Sequence, residues 1–337
     1  MKQSPNRASK DTLDQAARKL LIACAGDREI TAVQTVQSLW SDYGQLLRVS
    51  FASGEPDSVI VKYVRPPDAV SHPRGWSSTT GDQRKRRSYQ VEAAWYQHHA
   101  VTLPPACRVP ASLGVEVDET GSLTLIMEDL EPEFPHRLAQ LDPDSTLPCL
   151  DWLAALHASQ LQVSAPDLWP IGCYWHLGTR ADELAAMADG PLKRAASTLD
   201  HRLAASTFQT LIHGDAKLAN FCFSTHHDQV AAVDFQYVGR GPGVRDLAYF
   251  LGSALDEATL ITAADSLTDV YFARLRAHLP ATIDQDALEA DWRALLPIAV
   301  ADFERFLAGW APGHYKRNRW SASLSERALA DITKDNS

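Results

Sequence analysis

The stretch LIHGDAKLANF, Leu211 to Phe221, gathers a carboxylate, an ammonium and an amide into six positions, Asp215 to Asn220. Aliphatic residues precede them, so the group falls where an apolar strand ends and a loop begins. A second carboxylate, Asp234, closes the apolar run VAAVDF. Two carboxylates and an amide at strand ends can converge on one point. Phosphoryl transfer needs such a set. One carboxylate orients and deprotonates the attacking hydroxyl, a second carboxylate and an amide oxygen hold Mg2+, and a lysine neutralises charge on the transferring group. Asp215 fits the base, Asp234 and Asn220 the metal ligands, and Lys217 the cation. His213, at the buried strand end, reads as a structural histidine rather than a second base.

The same chemistry calls for a lysine on the nucleotide phosphates and a glutamate to pair with it. In SVIVKYV, Lys62 lies among aliphatic residues, and an ammonium there needs a partner or a ligand. In SYQVEAAWYQ, Glu92 stands at helical spacing from Tyr89, Trp95 and Tyr96. A lysine and a glutamate on apolar faces of one region form the expected ion pair. Further along, the backbone of Glu128 to Leu130 in LIMEDLEP suits an adenine edge, with Met127 packed behind it. Gly44, in SDYGQLL, is the glycine available to a loop over the phosphates.

At these residues the chain resembles the small-molecule kinases with a protein-kinase-like fold: aminoglycoside phosphotransferases, choline kinases and the ecdysteroid-kinase-like group. HGDAKLAN carries D-x-K-x-x-N, VDFQ follows, and VDFQYVGRGPGVRDLAYFL, Val233 to Leu251, looks most like the ecdysteroid-kinase-like branch. The resemblance implies ATP and Mg2+ as cofactors and a small-molecule hydroxyl acceptor. It maps the base to Asp215, the metal ligands to Asn220 and Asp234, and the phosphate lysine to Lys62. Asp246 becomes a structural carboxylate bracing the catalytic loop. Departures are visible too. Gly214 stands where protein kinases carry arginine, Gly44 is a single glycine, and D-F-Q replaces D-F-G. No A-P-E motif follows, which disfavours a protein substrate.

The elements that must position these residues fall into two groups. TLDQAARKLLIACAG reads as an amphipathic helix capped by Thr12 and ended by Gly26. EITAVQTVQSLW reads as a strand, and GQLLRVSFA and SVIVKYV as a hairpin. Arg65 to Gly81 reads as a long loop, and SYQVEAAWYQHHA as a helix entered through the basic run Arg84 to Arg87. CRVPASLGVEV and SLTLIMEDL make a second strand pair. After Leu130 the chain turns helical: CLDWLAALHASQL, RADELAAMADGPLKRAASTL and nearly everything past Val244, with short strands around the opening motif. The expectation is an α+β, bilobal protein-kinase-like fold. Residues 1–130 form a nucleotide-binding lobe, a small antiparallel sheet with one inserted helix. Residues 131–337 form a larger helical lobe with the catalytic loop and substrate pocket.

The pocket wall is expected after Leu130, where aromatics sit in loop-forming sequence: Trp175, Tyr237, Trp310 and Tyr315. Trp95 and Trp152 read as core. His226 and His227 lack further ligands at metal spacing. Composition bounds the rest. The chain has 337 residues, 45% of them hydrophobic, and a formal net charge of −10, which disfavours nucleic acid and anionic membranes. No apolar run reaches membrane-span length, and the N-terminus lacks the apolar segment of a secretory signal. Five scattered cysteines without CxxC spacing suit a reducing compartment, so the expected location is the cytoplasm. Oligomeric state is not readable from these features. Two other functions share part of the pattern: a non-catalytic kinase-like nucleotide- or metabolite-binding protein, and a metal-dependent phosphohydrolase, which would not need Lys62 and Glu92.

Overall fold

Asp14 opens the first helix, α1 (Gln15–Ala25): its carboxylate accepts the Ala17 N–H at 2.8 Å, and Gly26, at φ +81°, ends the helix. The expected cap, Thr12, lies outside the residues that the computed structural model describes, which are 13–39, 43–66 and 78–335. Leu13, Ala17 and Leu21 bury one face of α1 against Val49, Val59 and Ile126.

Those apolar residues alternate along a five-stranded antiparallel sheet, as a half-buried sheet requires. Its strands are β1 (Ile30–Ser38), β2 (Gly44–Phe51), β3 (Ser58–Val64), β4 (Ser112–Val117) and β5 (Leu123–Glu128). Their spatial order is β1-β2-β3-β5-β4. One helix, α2 (Ser78–Ala94), is inserted between β3 and β4 and runs on through a wider turn at Trp95–His99. It starts earlier than the sequence suggested. Arg84 to Arg87 lie inside it, because Gln, Lys and Arg sustain a helix without an apolar signal. The middle of the expected long loop, 67–77, lies outside the described residues.

Contacts divide the chain into two units, Met1–Thr102 with Val109–Glu133, and Leu103–Arg108 with Phe134–Ser337. The second unit is mostly helical: α3 (Leu147–Ser159), α4 (Ala181–Ala186), α5 (Pro191–Arg194), α6 (Ala196–Ala204), α7 (Val244–Ala254), α8 (Glu257–His278), α9 (Gln285–Trp310) and α10 (Arg319–Asp335). The segment expected as one helix near residue 190 is three, α4 to α6. Gly190 is extended there and Pro191 has no N–H to continue a helix. Two short ladders complete the unit. β7 (Phe221–Phe223) pairs with β8 (Val230–Ala232). β6 (Thr210–Ile212) pairs with β9 (Gly239–Gly241), a strand the sequence GRG does not announce. The fold is α+β and protein-kinase-like, as the motifs implied. Among the described residues no helix is long and apolar enough to cross a membrane. All five cysteines are free thiols.

Candidate active site

β6 carries the chain into the loop that begins at His213. The buried Asp246, in the first turn of α7, fixes that loop by accepting the backbone N–H of His213 at 2.6 Å and of Gly214 at 2.9 Å. Its Oδ2 also meets His157 Nε2 at 3.2 Å. The bracing role implied for Asp246 is therefore present as hydrogen bonds. His213 is fully buried. Its Nδ1 accepts the Asp215 N–H at 3.2 Å, which leaves Nε2 to donate to Val233 O at 3.0 Å. A neutral ring held at both nitrogens is a strut, not a base. Gly214 adopts φ +75°, and a Cβ there would lie 2.1 Å from Tyr237 O. No arginine fits this position, which accounts for the departure from the protein-kinase motif.

Asp215 is buried, and its two oxygens differ. Oδ2 accepts from Lys217 Nζ at 2.7 Å and from Asn220 Nδ2 at 3.1 Å. Oδ1 is enclosed with no hydrogen-bond partner among the described residues. Burial pushes the Asp215 carboxyl above its ordinary range; Lys217 opposes this and the nearby Asp234 charge adds to it. Burial pulls the Lys217 ammonium down, but Asp215 and Asp234 outweigh it, so Lys217 stays firmly charged. Asn220 Nδ2 also donates to Asp215 O at 2.8 Å, and Val233 N–H donates to Asn220 O at 3.0 Å, which joins the loop to the segment bearing Asp234. Asp234 adopts φ +71°, rare for a residue with a side chain and a backbone cost of about 1–3 kcal/mol at such sites. Gln236 Nε2 donates to its Oδ1 at 2.8 Å.

In the sheet unit, Lys62 on β3 and Glu92 on α2 form the expected ion pair. Nζ lies 2.8 Å from Oε1 and 2.6 Å from Oε2, with both side chains buried and Tyr89 5.7 Å below the ammonium. Met127 and Leu130 are buried. In the stretch expected at an adenine edge, the Glu128 N–H donates to Ala111 O at 2.9 Å, so this one donor belongs to the strand pair. Leu130 O accepts from Glu133 N–H at 3.1 Å. Gly44, at φ +139°, opens β2 where a Cβ would lie 2.0 Å from Tyr63 O, so its glycine is required by the sheet itself.

The four aromatic residues expected on a pocket wall have different fates. Trp175 is enclosed, with Nε1 donating to Asp302 at 3.1 Å beneath the buried Arg245 and Arg305. Tyr237 stacks on Trp169 and stands edge-on to Tyr174, 5.9 Å between centroids. Trp310 stacks on Phe306. Tyr315 is 71% exposed and stacks on His314. The chain next to Trp175 bonds to the loop that leads to Asp215: Tyr174 N–H donates to Gly214 O at 3.0 Å, and Cys173 N–H to Tyr237 O at 3.2 Å. Tyr249 OH, from α7, donates to Tyr174 OH at 3.3 Å. Burial raises both phenols, and the Asp215 charge raises them further, so both remain protonated. Over the Tyr249 ring, 4.3 Å from its centroid, stands the ammonium of the buried Lys316.

The ecdysteroid kinase-like family model matches residues 174–282. That span holds the loop at Asp215, Asp234 and Asp246, and the resemblance stated from those motifs is borne out. Among solved structures, the chain is similar to the GDP complex of wild-type aminoglycoside 2′-phosphotransferase-IIIa, with 10% identity, coverage of 94% of this chain and 98% of that one, and a TM-score of 0.52. It is similar to a candidate aminoglycoside phosphotransferase from Ralstonia eutropha, with 15% identity, coverage of 94% and 95%, and a TM-score of 0.50. It is also similar to an amicoumacin kinase in complex with AMP-PNP, Ca2+ and Ami, with 14% identity, coverage of 97% and 95%, and a TM-score of 0.50. At these identities the likeness shows the fold. No curated protein sequence matches the chain.

Sequence reasoning missed Tyr174, Tyr249 and Lys316. Tyr174 adjoins Trp175, and in irregular backbone no period tells which of two neighbouring aromatics turns inward. Tyr249 lies in RDLAYF, quoted for Asp246 alone. Lys316 sits in HYKRNR, where adjoining cations suggest solvent.

Proposed function

We propose that the protein is an ATP-dependent small-molecule kinase that transfers the γ-phosphoryl group to a hydroxyl of a small organic acceptor. The observation that carries this is the divided environment of Asp215. Lys217 and Asn220 hold one carboxylate oxygen in a fixed rotamer, while the other is buried without a partner. Such an oxygen is placed to accept a hydroxyl and take its proton, and a carboxyl above its ordinary range is the stronger base for it.

Asn220 and Asp234 would hold Mg2+. The donor set fits the ion: one anionic oxygen and one amide, close enough to Asp215 for the Asp234 charge to be felt there. Among the described residues no group of three His, Cys, Asp or Glu side chains forms a cage, and Mg2+ needs none, since it keeps water and phosphate oxygens as ligands. When bound, the ion neutralises charge on the phosphates. Lys217 keeps a fixed positive charge beside Asp215, and Asp246 keeps the loop from shifting. In the sheet unit, Lys62, oriented by Glu92, would bind the nucleotide phosphates, with Met127 and Leu130 packed around the base. The names of the similar structures support nucleotide and small-molecule substrates.

Asp215→Ala is expected to fold and to keep the melting shift given by Mg·ATP, about 2.7 kcal/mol at 100 times its Kd. Turnover, read as ADP release over a panel of hydroxylated metabolites, should fall roughly 10²–10⁴-fold. A folded variant with the parent's turnover would overturn the assignment. ADP release that needs no acceptor would favour a phosphohydrolase.

A further inference from the structure

Lys316 is a buried residue whose ammonium the reaction outlined above does not use. Its Nζ has no hydrogen bond or ion pair among the described residues, and its neighbours are rings: Tyr249 at 4.3 Å, Phe303 at 5.8 Å and Tyr315 at 5.9 Å. Its backbone is held. Lys316 N–H donates to His314 Nδ1 at 3.2 Å, and the next residue, Arg317, is pinned by Glu304 at 2.6 Å and Pro312 O at 2.7 Å. The backbone that carries the ammonium is thus held at Lys316 and at the residue after it.

A short chain of contacts leads from it to the base. The ring under Lys316 is Tyr249, whose hydroxyl bonds Tyr174, whose backbone bonds Gly214, next to Asp215. The two ends of that chain are an ammonium with unused donors and a carboxylate oxygen with no donor. Burial pulls Lys316 down to about 8, the Asp215 charge holds it up, and Lys217 lowers it, so all three groups act in one field. The links between the two ends are the rings of Tyr249 and Tyr174.

We propose that Lys316 is a specificity residue that binds a carboxylate on the acceptor, making the substrate a hydroxy acid with an apolar or aromatic body. The inference rests on the phosphotransferase reading only for the role of Asp215 in meeting the hydroxyl. Nucleotide phosphates call for several cations and backbone N–H groups, whereas one unpaired ammonium among rings matches one anionic group on an otherwise apolar molecule. The same placement disfavours a cationic acceptor. The Tyr249 face that would attract an amine already carries an ammonium, which would repel it.

The test uses the full chain and binding as well as turnover. Mandelate and 3-phenyllactate are compared with their neutral amides, and with choline, by calorimetry without nucleotide. The acids should bind the parent about 10–100-fold more tightly than the amides, as a charge-assisted hydrogen bond implies. Lys316→Met should abolish that preference, Lys316→Arg should restore part of it, and the Mg·ATP melting shift should persist in both. Equal binding of acid and amide to the parent, a preference retained by a folded Lys316→Met, or tighter binding of choline than of either acid would each overturn the inference. If the acid preference depends on Lys316 but neither ADP release nor a Mg·ATP shift is found, the kinase reading falls and the Lys316 assignment stands.

Discussion

Two lysines are buried among the described residues, Lys62 in the sheet unit and Lys316 in the helical unit, and their surroundings are opposite. Lys62 meets both oxygens of Glu92. Lys316 meets ring faces and no carboxylate at bonding distance. A buried charge is tolerated when it is paired, and an unpaired one is costly unless something else answers it. The contrast separates a charge whose position is fixed inside the protein from one left open to a ligand. Asp215 combines both, with one oxygen satisfied and one bare.

Removing the partner of Lys62 would make it resemble Lys316, and the cost should be large. Glu92→Gln is expected to destabilise the chain by about 3–5 kcal/mol, because a buried ammonium loses its counter-charge. Urea denaturation checks this; a loss below about 1 kcal/mol would mean that Lys62 is answered otherwise. Asp246 is another buried carboxylate, and a satisfied one, bonded by two backbone N–H groups and facing His157. Asp246→Asn should cost about 1.5–3 kcal/mol for the weakened bonds and lower turnover through the loosened 213–214 loop. Unchanged turnover in a destabilised protein would separate bracing from catalysis.

The pH dependence of acceptor binding sharpens the contrast further. Asp215, Lys217, Tyr249, Tyr315 and His314 face Lys316. Both tyrosines are raised, Tyr315 by burial, and burial and then Lys316 lower His314. With Lys316 at about 8, the KM for an acid acceptor should be flat below that pH and rise about tenfold per unit above it. A profile flat to pH 9.5 would remove Lys316 from recognition. The smallest effect is on stability. The folded value of Lys316 lies below its ordinary 10.5, so the unfolded chain holds more protons between about 8 and 10.5. The burial penalty is therefore complete below pH 8 and fades as pH rises through 10.5. Lys316→Met should raise stability by about 1 kcal/mol at pH 7, since loss of the ring contact offsets part of the relief, and the gain should shrink by pH 10. A clear loss of stability at pH 7 would contradict an unpaired charge.

Much of the fold was legible because its signals are local. Alternating residues in β1 to β3, the continuous apolar run of β5, and the helical periods of α1, α3 and α7 to α10 place themselves. The start of α2 was missed because its first turns carry no apolar residue, and β9 because its pairing with β6 is set by the distant partner strand. The engagement of the Glu128 N–H was hidden for a similar reason, since only the fold reveals that Ala111 O takes it.

By itself, the sequence determined the spacing of the loop's polar residues and the Lys62–Glu92 pair. The spacing from His213 to Asn220 is fixed along the chain, and a lysine and a glutamate on apolar faces have little to pair with but each other. The tertiary structure decided which residues surround that loop and how deeply they are buried. Gly214 is required by Tyr237 O, a contact made by pairing across β6 and β9. Lys316, in a run of cations that locally suggests water, is enclosed because α7 and α9 bring Tyr249 and Phe303 to it. Burial is a property of all the chain that surrounds a residue, and neighbours in sequence supply only a small part of it.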